Sequence, residues 1–486
     1  MDAQQIRQLK PKLTEFLTRF DDCFPRCDTR QHLPVYVEGQ LSDLERKSVE
    51  PIALKANVSV RTLQEFLSQH RWDEDLARQR YQEIVAEEHA SPRTIGIIDD
   101  TSDAKKGTKT PGVQVQYCGA EGKKDNCIVT VHLGLAVDDF HCLLDGELFL
   151  PESWSNDRKR CREAGIPDTM VYRSKLDIAL ELYDRARANG IRFAWLTFDG
   201  WYGRPPFLRA LDARGQLFVG QVRQDFTAWT RAPRVTKRPF HRVRPHGGGQ
   251  SRRTPRVIAG SPKAITVEAM MRWSGPLRDQ AWKAYRVKDG EKGPMVWEVK
   301  HMLIYPKGED RLPARPYHLV VSRNVLDRTE IKYFVSNAPV ETSVQQLLLV
   351  GFYRSRIERC FEDHKGEVGL DHYEGRRYLG LKRHLILTAV SYLFLSRIHQ
   401  ELRGEKSGVN RLPSPHGGGS RSPQLVAIRP SLQSSVRAGS GRNPVRAEAS
   451  RPSPQEPHES YPSQATGRRH KVDGPPTLSL GYDLAL

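Results

Sequence analysis

The chain is poor in the features that mark secreted, membrane and metal-ribbon proteins. Its seven cysteines are an odd number, scattered, with no Cys-x2-Cys pair. That spacing argues against a disulfide framework or a zinc ribbon, and a reducing cytosol fits it. No apolar run reaches the roughly 18–20 residues of a spanning helix; the stretch over 385–395 stops well short. The first twelve residues are polar and charged, without the apolar centre of an export signal. Hydrophobic residues, at 38%, are fewer than compact domains use, so part of the chain is expected to lie outside any core. Acidic residues are also short: 58 Asp and Glu face 76 Lys and Arg, a net charge of +18. A chain that basic expects a polyanion, and with the membrane set aside, nucleic acid is the natural partner.

At about 100–200 residues per domain, a chain of 486 residues suggests two to four units. Residues 1–90 read as a helical N-terminal region, with Leu9, Leu13, Phe16, Leu17 and Phe20 on one helix face. Within it, residues 49–69 have the shape of a helix-turn-helix. Ile52, Ala53 and Ala56 form an apolar face, Asn57-Val58-Ser59 suits a tight turn with Ser59 as N-cap, and Leu63, Phe66 and Leu67 resume helical spacing. An ordinary pair of packed helices fits equally well. In a DNA reader, Arg61 and Gln64 stand near the exposed start of the second helix.

Residues 91–215 alternate strand and helix. Strands are expected at 95–98, 128–136 and 191–198, with a helix over Lys175–Ala188. Mixed strands and helices make this an α/β unit. Residues 216–340 carry short strand-like pieces and read as a β-rich insertion, with a basic Pro/Gly-rich loop over 231–255. Residues 341–402 return to helix. From 403 to 486 Ser, Pro, Gly and Arg dominate, and this basic tail cannot bury enough apolar surface to offset its chain entropy. Its Pro-His-Gly-Gly-Gly at 415–419 repeats the one at 245–249, an echo with no physical account.

Three acids stand out by position. Asp100 and Asp199 each follow a mostly apolar strand, and Glu358 lies on an expected helix. Carboxylates at strand ends are rigid, and oxygen donors suit hard cations such as Mg²⁺. A pair of such cations, roughly 3.5–4 Å apart, is a common device for phosphoryl transfer. Taken singly, any acid among 58 is most often solvated surface.

The residues around the three acids resemble DDE transposases of bacterial insertion sequences. The stretch IIDDTSDAKKGTKTPGVQVQYCGAEGKKDNC (97–127) is similar to the first motif of that family, and WLTFDGWYG (195–203) to the second. RSRIERCFEDHKGEVGLDHYEGRRYLGLKRHL (354–385) is similar to the third, a Tyr-x2-Arg-x3-Glu-x6-Lys helix. Arg354, Glu358 and Lys365 match its spacing; the Tyr position holds Gly351, with Tyr353 out of register. The resemblance runs over about residues 10–400 and leaves out the tail.

This resemblance implies a ribonuclease-H-like mixed sheet with helices, interrupted by the β-rich insertion and preceded by a helical DNA-binding region. It implies a transposase that cuts double-stranded DNA at element ends and joins the freed 3′-hydroxyls to target DNA. Two Mg²⁺ or Mn²⁺ ions would be held by Asp100, Asp199 and Glu358. Asp100 is preferred to Asp99 because the family's ligand precedes a Thr, here Thr101, and neighbouring strand residues face opposite ways. Glu358 is preferred to Glu362, one helical turn on, by its spacing to Arg354 and Lys365. Those two cations share a face with Glu358 and are expected to clamp phosphates beside the cut.

Lys105 and Lys106, in a Gly-containing loop, are expected to touch the DNA backbone, with solvated lysines an equal reading. Trp201 and Tyr202 suit either stacking on an unpaired base or packing. His364, His372 and His384 match no usual ligand spacing and read as packing or surface histidines. A homodimer holding two DNA ends and a bacterial cytoplasmic, nucleoid-associated location follow from the same resemblance. Two rivals stay open: a host nuclease on the same core that hydrolyses without joining, and a DNA-binding protein with incidental acids.

Overall fold

A computed structural model describes the backbone of residues 3–237, 254–290 and 293–409, and side chains over 8–237, 254–287 and 294–402. Most of the basic loop expected over 231–255, and the tail from 410, lie outside the described residues. No described helix is long and apolar enough to cross a membrane.

The N-terminal helices are α1 (Ala3–Thr18), α2 (His32–Gln40), α3 (Val49–Lys55), α4 (Val60–Ser68) and α5 (Glu74–His89). The α3–α4 turn is built from its residues. Asn57 takes a left-handed φ of 54°, which asparagine tolerates better than most. The Ser59 hydroxyl then caps α4 by accepting from the Thr62 amide at 3.4 Å. Leu63, Phe66 and Leu67 are buried on one side of α4; Arg61 and Gln64 are exposed on the other.

Next come strands β1 (Ile95–Ala104), β2 (Gln114–Cys118), β3 (Lys123–Val137) and β4 (Phe140–Leu148). Helix α6 (Arg158–Glu163), helix α7 (Lys175–Ala188), β5 (Trp195–Phe198), helix α8 (Pro205–Ala213) and β6 (Phe218–Val222) follow. β1 is antiparallel to β3 and parallel to β5, and β5 is parallel to β6. The order β4-β3-β1-β5-β6 is the ribonuclease-H-like core that the family resemblance implied.

The β-rich insertion does not form a separate sheet. It comprises β7 (Thr227–Trp229), the β8 (Val235–Thr236)–β9 (Arg256–Val257) pair, β10 (Ile265–Thr266), β11 (Lys283–Gly290), β12 (Gly293–Pro306), β13 (Tyr317–Asn324) and β14 (Ile331–Ser336). Apart from β8–β9, these strands extend the core sheet, because β14 pairs antiparallel with β6. The result is one 12-stranded mixed sheet. Three helices follow: α9 (Val344–Tyr353), α10 (Ser355–Val368) and α11 (Tyr378–Val409).

Two glycines place α10. Gly134 on β3 lets Ile357 approach so closely that an added Cβ would sit 3.1 Å from it. Gly369 ends the helix at φ 72°, a left-handed cap that suits glycine. α11 then fastens the N-terminal helices to the core. The buried Arg383 guanidinium donates to the carbonyls of Phe66, Leu67, His70 and Trp72 and pairs with Glu74 at 3.2 Å. Tyr36 bonds His384 at 2.9 Å, and Ser391 donates to Gln40 at 2.8 Å. One apolar core therefore runs from Leu13 to Phe394.

Candidate active site

Strand alternation decides where the two neighbouring acids of β1 go. Asp99 faces α10, where its Oδ2 accepts from Arg354 Nη1 at 2.9 Å. Asp100 faces α7, where its Oδ2 accepts from Lys175 Nζ at 2.7 Å. The Asp100 Oδ1 accepts from the Tyr202 hydroxyl at 3.3 Å. Arg354 reaches across: its Nη2 donates to Glu358 Oε1 at 2.5 Å, one helical turn along α10. A single guanidinium thus bridges an acid of β1 and an acid of α10.

Asp199 completes the group. β5 runs in parallel register with β1 up to the Ile98–Phe198 pair, so the next residues, Asp99 and Asp199, emerge side by side. The Asp199 Oδ1 accepts from the amides of Trp201 and Tyr202 at 3.0 and 3.3 Å, which fixes the turn after β5. The same Tyr202 therefore holds Asp199 by its amide and Asp100 by its hydroxyl.

The electrostatics record crowding. Burial pushes the Asp99 carboxyl up to about 7; the Asp199 charge adds to this and Arg354 opposes it. Burial also raises Asp199, while the Tyr202 and Trp201 amides and Arg354 pull it down and Asp100 pushes it up. The Tyr202 phenol is driven well up, first by burial and then by the charges of Asp100, Asp99 and Asp199. Three acids acting on one phenol are neighbours, and like charges gathered in a buried place favour either protons or an added cation.

The donor set suits a hard dication, since every candidate ligand is a carboxylate oxygen. Among the described residues, however, no three His, Cys, Asp or Glu side chains are gathered closely enough to cage an ion. Arg354 and Lys175 hold the carboxylates instead. Glu358, with a side chain 57% exposed, has room to turn. Asp99, Asp100, Asp199 and Glu358 are the residues that could hold metal.

The other expected residues divide. Lys365 lies two turns beyond Glu358, and its Nζ donates to the Ser102 carbonyl at 3.4 Å, next to the acids of β1. Glu362 points outward, 70% exposed, and pairs with Arg359. Lys106 is exposed beyond the end of β1. Lys105 is turned inward: it pairs with Asp103 and donates to the carbonyls of Tyr373 at 2.6 Å and Asp371 at 3.5 Å. Its three hydrogens have three protein acceptors, so it pins loops rather than DNA. Tyr202 is fully buried and cannot stack on a base. Trp201 is half-buried, with Lys175 and Arg204 5.2 and 4.8 Å from its ring centre.

The histidines have protein partners. His364 bonds the Cys360 carbonyl, His384 the carbonyls of Gly369 and Leu370, and His372 the Lys47 amide. Lys175 was invisible to sequence reasoning, because nothing local ties a lysine at a helix start to an acid 75 residues earlier.

The model of the DDE superfamily endonuclease family matches residues 19–294, more than half of the chain. That span includes Asp99, Asp100 and Asp199 and stops before α10. The chain is also 28% identical over 214 residues to a "Probable transposase for insertion sequence element IS701" of Microchaete diplosiphon. This alignment covers 43% of the chain and 53% of that protein, so the chain spans about half the length of the curated relative it matches.

Proposed function

The chain belongs to the DDE superfamily of endonucleases, and on that premise we propose that it is a transposase. It would cut double-stranded DNA at the ends of a mobile element and join the freed 3′-hydroxyls to target DNA. The observation that carries this reading is the meeting of three distant segments. Asp99 and Asp100 come from β1, Asp199 from the end of β5, and Glu358 from α10, with Arg354 bridging Asp99 and Glu358. The similarity to a probable insertion-sequence transposase supports the choice of DNA ends as substrate.

Asp100, Asp199 and Glu358 are the proposed metal ligands; Asp99, on the opposite face of β1, lies beside Asp199 and shares Arg354 with Glu358, and is the alternative ligand from that strand. Mg²⁺ or Mn²⁺, bound as a pair, would activate the attacking oxygen and stabilise the leaving one. The protein's own groups prepare that site. Tyr202 aligns Asp100 through its hydroxyl and Asp199 through its amide. Arg354 and Lys365, one turn before and two turns after Glu358, are proposed to grip the phosphates beside the cut, Arg354 by exchanging its carboxylate partners for phosphate oxygens and Lys365 as a point charge. The exposed Arg61 and Gln64 of α4 are proposed to read element-end sequence, with Lys106 on the backbone. Two chains are proposed to hold the two ends.

The test is incubation of the full chain with Mg²⁺ and DNA carrying the inverted repeats that flank its coding region, with products mapped to the nucleotide. Specific 3′-hydroxyl ends at one boundary, followed by joined products, are expected. Random degradation, or no cleavage, contradicts the proposal. Specific cleavage without joining reduces it to a nuclease.

A further inference from the structure

A basic trough lies beyond the far end of β1, away from the four acids. It is a cavity of about 570 Å³ between the loop after β1, helix α6 and the loop joining α10 to α11. Five cationic side chains line it: Lys109, Lys159, Arg160, Arg376 and Arg377. Only two acids share the lining, Asp157 and Glu163. Asp157 is already engaged, since its Oδ1 accepts from the Arg160 amide at 3.0 Å to cap α6. The trough therefore presents an excess of positive charge contributed by three separate chain segments.

The trough is braced rather than floppy. The Arg160 guanidinium lies 3.7 Å from the centre of the Trp154 ring, and its Nη2 donates to the Thr108 carbonyl at 2.8 Å. Arg377 Nη1 donates to the Glu163 carbonyl at 3.1 Å. A guanidinium has five N–H donors, so neither arginine is used up by these bonds. Lys105 ties the loop after β1 to the loop carrying Arg376 through the carbonyls of Asp371 and Tyr373. Fixed cations lose little freedom when an anion arrives, which favours binding.

Two chain segments lead from the acids to the trough. α10 carries Glu358, then Lys365 two turns on, and ends at Gly369, where the loop to Arg376 and Arg377 begins. On the strand side, Asp100 to Lys105 spans about 17 Å at ~3.3 Å per residue. That is about five nucleotides at ~3.4 Å per charge on one strand. Cations spread over three segments, without a converging nest, suit a run of phosphates better than one small anion.

We propose that this trough seats the backbone phosphates of duplex DNA flanking the cut, about five base pairs or more from the scissile bond. The proposal rests on the DNA-cutting reading and adds a binding surface to it. Lys109, Lys159 and Arg376 are exposed, so truncating them leaves the core intact.

The test uses the full chain carrying Lys109→Ala, Lys159→Ala and Arg376→Ala together. The probe is a fluorescent 30-base-pair duplex of arbitrary sequence, in EDTA, titrated across a range of salt. Binding should weaken about tenfold or more near 0.1 M salt, and the slope of log affinity against log salt should become shallower by about 3. A charge-matched control removes Lys263, Lys307 and Arg328, which are exposed on the insertion. Unchanged affinity and slope, or an equal loss in the control, overturns the trough as a phosphate seat. Because no cleavage is measured, that failure is separate from failure of the transposase reading, which nicking by Asp199→Ala judges.

Discussion

Replacing Asp99 with Asn should stabilise the metal-free protein at alkaline pH and leave it unchanged in acid. Asp99 has a side chain only 15% exposed, and burial together with the Asp199 charge lifts it from 3.8 to about 7. The sign follows from which state holds the proton. Below pH 4 both folded and unfolded chains carry it, and no difference arises. Between about pH 4 and 7 the folded form keeps a proton that the unfolded form has lost, so stability falls as pH rises. Above pH 7 the full penalty applies.

A shift of about three units corresponds to roughly 4 kcal/mol at ~1.36 kcal/mol per unit, an upper value because side chains relax around a charge. Taken over the roughly 400 described residues, this is a rise of roughly 2–5 °C in thermal midpoint. Melting of wild type and Asp99→Asn in EDTA at pH 4, 6 and 8 measures it. Added Mg²⁺ or Mn²⁺ should then raise the wild-type midpoint at pH 8 more than the variant's, since binding to the folded form stabilises it. A variant no more stable than wild type at pH 8, or equally shifted at pH 4 and 8, refutes the reasoning.

Arg383→Met should cost about 3–5 kcal/mol in urea unfolding, because four carbonyls at the junction of α11 and α4 lose a buried donor and Glu74 is left with only its 3.4 Å pair to Lys382; a loss below about 1 kcal/mol contradicts that role. Tyr202→Phe keeps the buried ring and loses only the hydroxyl on Asp100. Stability should fall by about 1 kcal/mol, and Mg²⁺-dependent nicking by about tenfold; unchanged nicking shows that the hydroxyl does not align the acid. Arg61→Ala with Gln64→Ala, both exposed, should leave the melting curve in place. Binding to element-end DNA should weaken by about 1–3 kcal/mol, against little change for arbitrary duplex. Equal loss on both DNAs contradicts sequence reading by α4.

Much of the architecture was legible because its signals are local. Apolar runs ending in acid marked β1 and β5, the helix over Lys175–Ala188 appears with the bounds its periodicity predicts, and Ser59 caps the helix it precedes. The Arg354–Glu358 contact follows from four-residue spacing alone. Other features depend on tertiary partners. The strand expected at 128–136 starts earlier, at Lys123, because β2 supplies a ladder from Gln114 to Cys118. β4 was missed behind the Asp138-Asp139 turn, and β14 gave no sign that it would pair with β6 and merge insertion and core.

Within the site, a single sequence shows two adjacent acids but not which face of the sheet α10 covers. That packing choice gives Asp99 to Arg354 and Asp100 to Lys175. A lysine in a Gly-containing loop likewise reads the same whether solvated or, as with Lys105, turned inward onto carbonyls.

The central claim is that these carboxylates work together on DNA with divalent metal. The most direct measurement is nicking of a supercoiled plasmid carrying the element ends, in Mg²⁺, by wild type, Asp199→Ala and Glu358→Gln, each checked for an unchanged circular dichroism spectrum. Wild-type nicking that disappears in EDTA and falls about 10³-fold or more in both variants, about 4 kcal/mol of barrier, is predicted. Folded Asp199→Ala nicking at the wild-type rate contradicts it.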